Sequence, residues 1–200
     1  MRLLGLSASP TKRSKTLLAV EKAIECARRL DPAIVTEIIN VRDMDIQFCD
    51  GRDPSLYEGD TKKLIDKILA SDALIIGTPM YRGSYTGILK NVFDVIPNDA
   101  LFGKCVGIIA TGASDHHYLA TEHEIKPLLG YFHAHVIPGS VYANNDHYSD
   151  QALVDEGILV RLNDLAQSVI ELSRRIPQEF RRLTGPEFAK VTRRSLADKR

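Results

Sequence analysis

The feature that most constrains this chain is a fivefold alternation between short apolar runs and segments in which apolar residues recur every three or four positions. The apolar runs predict strands at residues 2–6, 33–40, 73–77, 105–110 and 135–142. The last of them contains a proline, which favours an edge position in the sheet. Because strands that are apolar throughout are buried on both faces, the pattern predicts a doubly wound α/β domain, with a five-stranded parallel sheet and helices on both faces.

Length and charge narrow the class of protein further. The 200 residues fit one domain over residues 1–180, followed by a basic tail at 181–200 that we interpret as a solvated, flexible extension. The tail carries seven Lys/Arg and two Asp/Glu, which leaves 19 basic and 24 acidic residues in the rest of the chain. A mildly acidic domain argues against a nucleic-acid binder, because such proteins carry positive charge on the folded domain.

The sequence also predicts where in the cell the protein is located. No apolar run approaches the ~18 residues of a membrane span, and the first residues lead directly into a structural motif rather than a signal peptide. Three cysteines without C-x-x-C spacing favour reduced thiols over a disulfide framework. The sequence therefore predicts a cytoplasmic protein with neither a membrane nor a nucleic-acid partner.

Ligands of doubly wound sheets bind beyond the carboxyl ends of the strands, so the loops after the first, third and fourth strands are the candidate site. The first loop, residues 7–16, places five hydroxyl side chains and three cations before a predicted helix. Helix N-termini, hydroxyl groups and an arginine all suit phosphate oxygens. Neither a Walker loop nor the G-x-G-x-x-G turn is present. The alternative is a Ser/Thr helix cap with solvated Lys and Arg side chains.

The loop after the third strand, residues 77–87, combines glycines with tyrosines. Gly83 and Gly87 allow the backbone to approach a flat ligand closely, while Tyr81 and Tyr85 offer aromatic faces. The backbone N–H groups can donate to ring carbonyls. The alternative is an ordinary Pro/Gly turn with exposed tyrosines.

Three segments together resemble a known family. They are SASPTKRSKT at residues 7–16, GTPMYRGSYTGILKNVFD at 77–94 and ATG at 110–112. They resemble the NAD(P)H-dependent FMN reductases over residues 1–175, and are most similar to the reductase components of two-component alkanesulfonate and sulfone monooxygenase systems. The resemblance implies a flavodoxin-like fold with strand order 2-1-3-4-5, FMN as cofactor, and NADPH or NADH as co-substrate.

The resemblance also implies a set of FMN contacts. The phosphate would bind to Ser9, Arg13, Ser14 and Thr16. The isoalloxazine ring would lie along Pro79, Met80, Tyr81, Arg82, Gly83 and Ser84. Its other side would be closed by Thr111, Gly112, Ala113 and Ser114. Since the flavin itself carries the redox chemistry, we expect no catalytic acid or base. The candidates for attracting the phosphates of NADPH are Arg82, Lys12, Arg13 and Lys15.

The implied activity is that of a flavin reductase, which transfers a hydride from NAD(P)H to FMN and supplies reduced flavin to a partner monooxygenase. One alternative is a reductase with bound FMN that acts on a quinone, an azo dye or a metal oxyanion. Another is a flavodoxin-type electron carrier without NAD(P)H activity. Such carriers tend to be strongly acidic, whereas this chain has zero net charge and three cations in its first loop. The resemblance further implies a homodimer or homotetramer.

Residues 115–132 predict a helix that is interrupted. Pro127 has no N–H, so the carbonyl of His123 loses its usual helical partner. Such a break favours a kink or a π-bulge, and the reductases of sulfonate systems carry a π-helix at this place. The residue inserted there is often tyrosine, and His123 takes the corresponding position in this chain. The six histidines do not show the spacing of a metal site, so no metal is expected.

Overall fold

The computed structural model describes residues 1–150 and 152–176. Its main sheet contains β1 to β6, which are Arg2–Ser7, Val35–Asn40, Ala73–Tyr81, Cys105–Thr111, His135–Val136 and Val141–Ala143. Helices α1 to α5 are Lys15–Leu30, Gly59–Ala70, Gly87–Val95, Lys126–Tyr131 and Glu156–Arg175. Two short elements were not predicted: a return strand, Ser84–Tyr85, and a small hairpin formed by Tyr148–Ser149 and Ala152–Leu153. The predicted tail at 181–200 and the boundary at residue 180 lie outside the described residues.

The sheet has the predicted topology. Its parallel strands are ordered β2-β1-β3-β4, and both β5 and β6 pair with β4 at the edge. The predicted doubly wound fold and its order 2-1-3-4-5 are therefore confirmed. The single fifth strand predicted at 135–142 is instead two short strands, because Pro138 between them cannot donate a hydrogen bond to the ladder.

Helices cover both faces of this sheet. Along β3, Leu74 and Ile76 are buried on the face covered by α2, α3 and α4, whereas Ala73 and Ile75 are buried under α1 and α5. Alternating side chains thus enter two separate cores, as expected for a parallel sheet buried on both sides. Within the two described ranges, no helix combines the length and the apolar character that crossing a membrane requires.

Glycines in two central strands allow α1 to lie unusually close to the sheet. A Cβ atom added at Gly77 would lie 2.4 Å from Cγ2 of Val20 and 2.9 Å from Cγ2 of Thr16. One added at Gly5 would lie 2.9 Å from Cγ1 of Ile24. The absence of side chains at these two positions therefore sets the distance between α1 and the strands β1 and β3.

The segment before α4 is irregular, as the sequence predicts. Residues Thr121–Ile125 form a π-helical turn that contains His123. The N–H groups of Glu122 and His123 both donate to the carbonyl of Leu119, at 3.0 and 3.1 Å. Pro127 lies in the first turn of α4, directly after this π-turn. The predicted irregularity at His123 is confirmed.

Replacing Gly77 with alanine is expected to lower the free energy of unfolding by about 1–3 kcal/mol. The added methyl group would overlap the side chains of Val20 and Thr16, so α1 must move away from β3. Denaturant unfolding followed by circular dichroism measures the loss.

Gly130→Ala is the matched control, since Gly130 lies in α4 and an added Cβ meets no atom within 4 Å. It should leave stability unchanged or raise it by about 0.5–1 kcal/mol. The double variant Val20→Ala/Gly77→Ala should be less destabilised than the sum of its parts, because the smaller residue at position 20 relieves the overlap. Equal stability of Gly77→Ala and the parent would contradict tight packing of α1.

Candidate functional site

Three loops at the carboxyl edge of the sheet enclose a single cleft of about 290 Å³. The strand register brings them together, because Ser7 pairs with Gly77, and Pro79 pairs with Thr111. The cleft lies where the chain, having added β2 on one side of β1, adds β3 on the other. Doubly wound sheets bind their ligands at this reversal of strand order.

The first loop is tied to the second loop, residues 77–87, by two hydrogen bonds. The N–H of Ala8 donates to the carbonyl of Gly77 at 2.9 Å, and the hydroxyl of Thr86 donates to the carbonyl of Ala8 at 2.9 Å. Of the four residues predicted to contact phosphate, three line the cleft, namely Ser9, Arg13 and Thr16. These two bonds therefore hold the first loop where its side chains can meet a ligand.

Helix α1 starts at the cleft, and the first N–H groups of the helix are available to an anion. Ser14 is the N-cap, and its Oγ accepts a hydrogen bond from the N–H of Leu17 at 3.0 Å. The N–H groups of Lys15 and Thr16, at the first two helical positions, have no acceptor within the helix. Together with the helix dipole they favour a bound phosphate. Ser14 itself is buried and does not line the cleft, so its contact with phosphate stays a prediction.

A buried pair of hydroxyls joins the first loop to the third. Thr16 Oγ1 and Thr111 Oγ1 lie 2.6 Å apart and share a hydrogen bond, and both residues are buried. This bond crosses the base of the cleft. It holds the first turn of α1 against the end of β4.

The third loop is fixed from behind by Tyr142. Its hydroxyl donates to the carbonyl of Ser114 at 2.7 Å, and burial together with the carboxylate of Asp115 raises the pKa of this phenol. A Cβ atom at Gly112 would lie 2.0 Å from the Tyr142 hydroxyl oxygen, so with any other residue there either Tyr142 or the loop would have to move. Gly112 and Ala113 line the cleft. The Oγ of Ser114 does not, and lies 2.7 Å from Nδ1 of His116.

The second loop differs from the prediction because β3 continues to Tyr81 and turns back as a hairpin. Met80 pairs with Tyr85, and Tyr81 pairs with Ser84. The two residues at the turn, Arg82 and Gly83, have φ angles of 55° and 85°, which suit a tight two-residue hairpin. The apolar run ends at residue 77, so the pairing that extends the strand could not be identified from local composition.

This hairpin places its first strand, and not its tip, in the cleft. The predicted ring contacts that line the cleft are Pro79, Met80 and Tyr81. Met80 is buried, whereas Tyr81 is 46% exposed at the mouth. Arg82, Gly83 and Ser84 lie outside the lining, and Ser84 Oγ donates to Glu124 Oε2 of the π-turn at 3.1 Å.

Three further residues line the cleft that were not predicted as flavin contacts. They are Thr11, Lys15 and Asn145. Thr11 and Lys15 belong to the first loop, which the sequence already indicates as a candidate phosphate-binding segment. Asn145 follows β6, and no local pattern distinguishes it. Only the fold brings its Oδ1 within 2.8 Å of Nζ of Lys15, which lies 130 positions earlier in the chain.

The cleft residues fit a phosphorylated flavin. At one end, hydroxyls, Arg13 and the first N–H groups of α1 supply the donors and positive charge that a phosphate requires. At the other end, Pro79 and Met80 form an apolar wall for a flat ring, and Gly112 and Ala113 complete the lining. A phosphate end and a ring end within one cleft match the chemistry of FMN.

Comparisons with known proteins agree with this geometry. Residues 1–148 match the family model described as NADPH-dependent FMN reductase. An NAD(P)H-dependent FAD/FMN reductase of Geobacillus thermodenitrificans is 40% identical over 173 residues, which cover 86% of this chain and 93% of the relative. An NADPH-dependent FMN reductase of Escherichia coli is 31% identical over 151 residues, or 75% of this chain and 76% of that protein.

A solved structure of similar architecture is the apo form of the NADH:FMN oxidoreductase EMOB. It superimposes with a TM-score of 0.78 at 25% identity, covering 93% of this chain and 96% of that one. The shared flavodoxin-like fold and the sequence matches agree on the family of this chain. This chain belongs to the NADPH-dependent FMN reductase family of oxidoreductases.

Proposed function

We propose that the cleft binds FMN with its phosphate at the N-terminus of α1 and its isoalloxazine ring along the end of β3, for reduction by NAD(P)H. The supporting observation is that the three loops singled out in the sequence line a single cleft at the β1/β3 switch point. When bound, FMN supplies the hydride-accepting chemistry, so the protein itself provides binding, orientation and access.

The residues of the chain divide these tasks. Arg13 and the N–H groups of Lys15 and Thr16 hold the phosphate, which fixes one end of the ligand. Met80 supplies an apolar wall for the ring. Tyr81 is exposed, and we assign the approach of the nicotinamide ring to the side of the cleft next to it.

Exposed cations around the first loop and the hairpin tip are suited to the phosphates of the nucleotide. Lys12 is exposed on the first loop, and Arg82 is exposed at the tip of the β3 hairpin. We assign both to attraction of NADPH or NADH. They lie outside the cleft lining, where the phosphates of a second molecule can be reached after FMN has bound.

Reduced FMN is proposed to pass to a separate flavin-dependent monooxygenase, as the likeness to reductases of two-component systems implies. An assay with a monooxygenase separates this function from reduction of a quinone, an azo dye or a metal oxyanion. A flavodoxin-type carrier would instead show no NAD(P)H oxidation. Within the described residues, Cys26, Cys49 and Cys105 form no disulfide, which supports the proposed cytoplasmic location.

We further propose a homodimer or a homotetramer whose interface includes the surface beside the π-turn. Tyr118 and Leu119 are 49% and 54% exposed there, which is high for large apolar side chains on adjacent positions. The π-turn also contacts the cleft hairpin through the bond from Ser84 to Glu124. An interface at this place would therefore lie close to the flavin.

The first expected outcome is that the purified protein oxidises NADPH or NADH only when FMN is added or retained. Hydride transfer requires the flavin, since the cleft residues supply no redox group of their own. Absorbance at the nicotinamide band, recorded with and without FMN, measures the reaction. Absence of FMN-dependent oxidation with both nucleotides would contradict the proposed activity and favour the carrier.

Replacing Arg13 with glutamine should weaken FMN binding by about tenfold or more, because a hydrogen bond to a charged group contributes about 1.5–3 kcal/mol. Riboflavin has the same ring but no phosphate, and its affinity should not change. Fluorescence titration of both flavins makes the comparison. Arg13 is a sharper test than Ser14 or Thr16, whose hydroxyls already serve in the helix cap and the bond to Thr111.

Lys22→Gln is the matched control, since it removes a charge from α1 two turns beyond its first residue, where Lys22 pairs with Glu25 at 2.8 Å. It should leave the affinity for FMN unaltered. An equal loss in both variants would mean that general electrostatic attraction, and not a phosphate site at Arg13, governs binding. Equal losses of FMN and riboflavin in Arg13→Gln would show that the phosphate is misplaced.

Deleting His123 should change the oligomer size or tighten FMN retention. Removal of one residue restores the regular helical register in the π-turn Thr121–Ile125, which rotates the surface carrying Tyr118 and Leu119 relative to α4. His123→Ala is the control, because it removes the exposed imidazole and keeps the chain length. Light scattering and flavin content provide the readouts. If the deletion leaves both unchanged, the π-turn has no role in assembly.

A further inference from the structure

One lysine at the phosphate end of the cleft is held in place far more firmly than a surface lysine usually is. Lys15 lines the cleft, and its Nζ donates a hydrogen bond to Oδ1 of Asn145 at 2.8 Å. The same Nζ lies 5.1 Å from the centre of the Tyr148 ring, within the range of a cation–π contact. An ammonium group has three N–H donors, so these contacts leave donor capacity for a ligand in the cleft.

Tyr148 is a fixed partner for this lysine. Its side chain is buried, and its hydroxyl donates to the backbone carbonyl of Lys15 at 3.0 Å. Burial raises the pKa of Tyr148, so the phenol keeps the proton that it donates. Tyr148 therefore contacts Lys15 at two points. Its hydroxyl donates to the backbone carbonyl, and its ring face lies against the ammonium group.

Asn145 is fixed as well. It opens a 3₁₀ turn, Asn145–His147, whose N-terminus is closed by a capping box: Oδ1 of Asn144 accepts from the N–H of Asp146 at 2.8 Å, and Nδ1 of His147 accepts from the N–H of Asn144 at 3.0 Å. The Nδ2 of Asn144 donates to the carboxylate of Asp115 at 3.0 Å, which anchors the turn to the segment following the third cleft loop. The exposed side chain that accepts from Lys15 is thus carried by a backbone turn that is anchored to the fold.

We propose that Lys15, positioned by Asn145 and Tyr148, is a second phosphate-binding cation that determines the preference of this site for phosphorylated flavin over riboflavin. This inference rests on the proposed FMN site. A phosphomonoester carries about −1.5 to −2 charge at neutral pH, which Arg13 alone does not balance. Lys15 lines the same end of the cleft and supplies the second positive charge. Because its side chain is already ordered, little further ordering is needed when the phosphate binds.

The experiment measures the affinities of FMN and riboflavin for the full-length parent and for four variants, at low and at high salt. Lys15→Gln removes the charge and keeps a polar side chain, whereas Lys15→Arg keeps the charge. Asn145→Asp places a carboxylate next to the ammonium, where it competes with phosphate for the same cation. Tyr148→Phe keeps the ring face and removes the hydroxyl that holds the backbone of Lys15.

Lys15→Gln and Asn145→Asp are each expected to raise the dissociation constant of FMN about tenfold while leaving that of riboflavin unchanged. The loss should shrink at high salt, since screening already weakens the interaction in the parent. Lys15→Arg should retain most of the preference for FMN, and Tyr148→Phe should show a smaller loss than Lys15→Gln.

Three results would overturn the inference. Equal weakening of both flavins by Lys15→Gln would show that the residue only supports the fold. An unchanged FMN affinity in Lys15→Gln, with a clear loss in Arg13→Gln, would remove Lys15 from the phosphate site and leave the proposed function intact. Failure of the parent to prefer FMN over riboflavin would overturn both proposals together.

Discussion

Close packing of α1 against the glycines of β1 and β3 is the constraint on which the cleft depends. With no Cβ at Gly5 or Gly77, the helix approaches until Val20 and Ile24 touch the strand backbone. A helix held further away could not form the buried bond between Thr16 and the end of β4. The N-terminus of α1 therefore meets the ends of β1, β3 and β4 at one point, so packing in the core determines the geometry of the cleft.

The loops are connected to one another as well as to the sheet. The first loop is bonded to β3 through Ala8, and the third loop is held from behind by Tyr142. The hairpin of the second loop is bonded to the π-turn through Ser84 and Glu124. A ligand that spans the cleft thus contacts three segments whose positions are coupled. This arrangement suits a protein that leaves redox chemistry to a cofactor and contributes orientation and access.

Sequence patterns anticipated these features to different degrees. The two helical layers and the break near Pro127 follow from apolar periodicity and from the missing N–H of proline, which are local properties. The strand order was implied by the family resemblance and not by any local pattern. The continuation of β3 through Met80 to Tyr81 escaped prediction, because it depends on pairing with Tyr85 across a tight turn. Asn145 was not predicted for the same kind of reason, since its hydrogen bond is with Lys15, which is distant in the chain.

Local sequence patterns were sufficient for the fold class, for the edge of the sheet that carries the candidate site, and for the loops that line it. Those features follow from hydrophobic spacing and from the rule that ligands of doubly wound sheets bind at the carboxyl ends of the strands. The tertiary structure decided which side chains of those loops face the cleft. Ser14 turns to cap α1 and Ser84 turns to Glu124, whereas Lys15 is drawn to Asn145 and Tyr148. The direction of a side chain depends on partners distant in sequence, and those partners become neighbours only when the chain has folded.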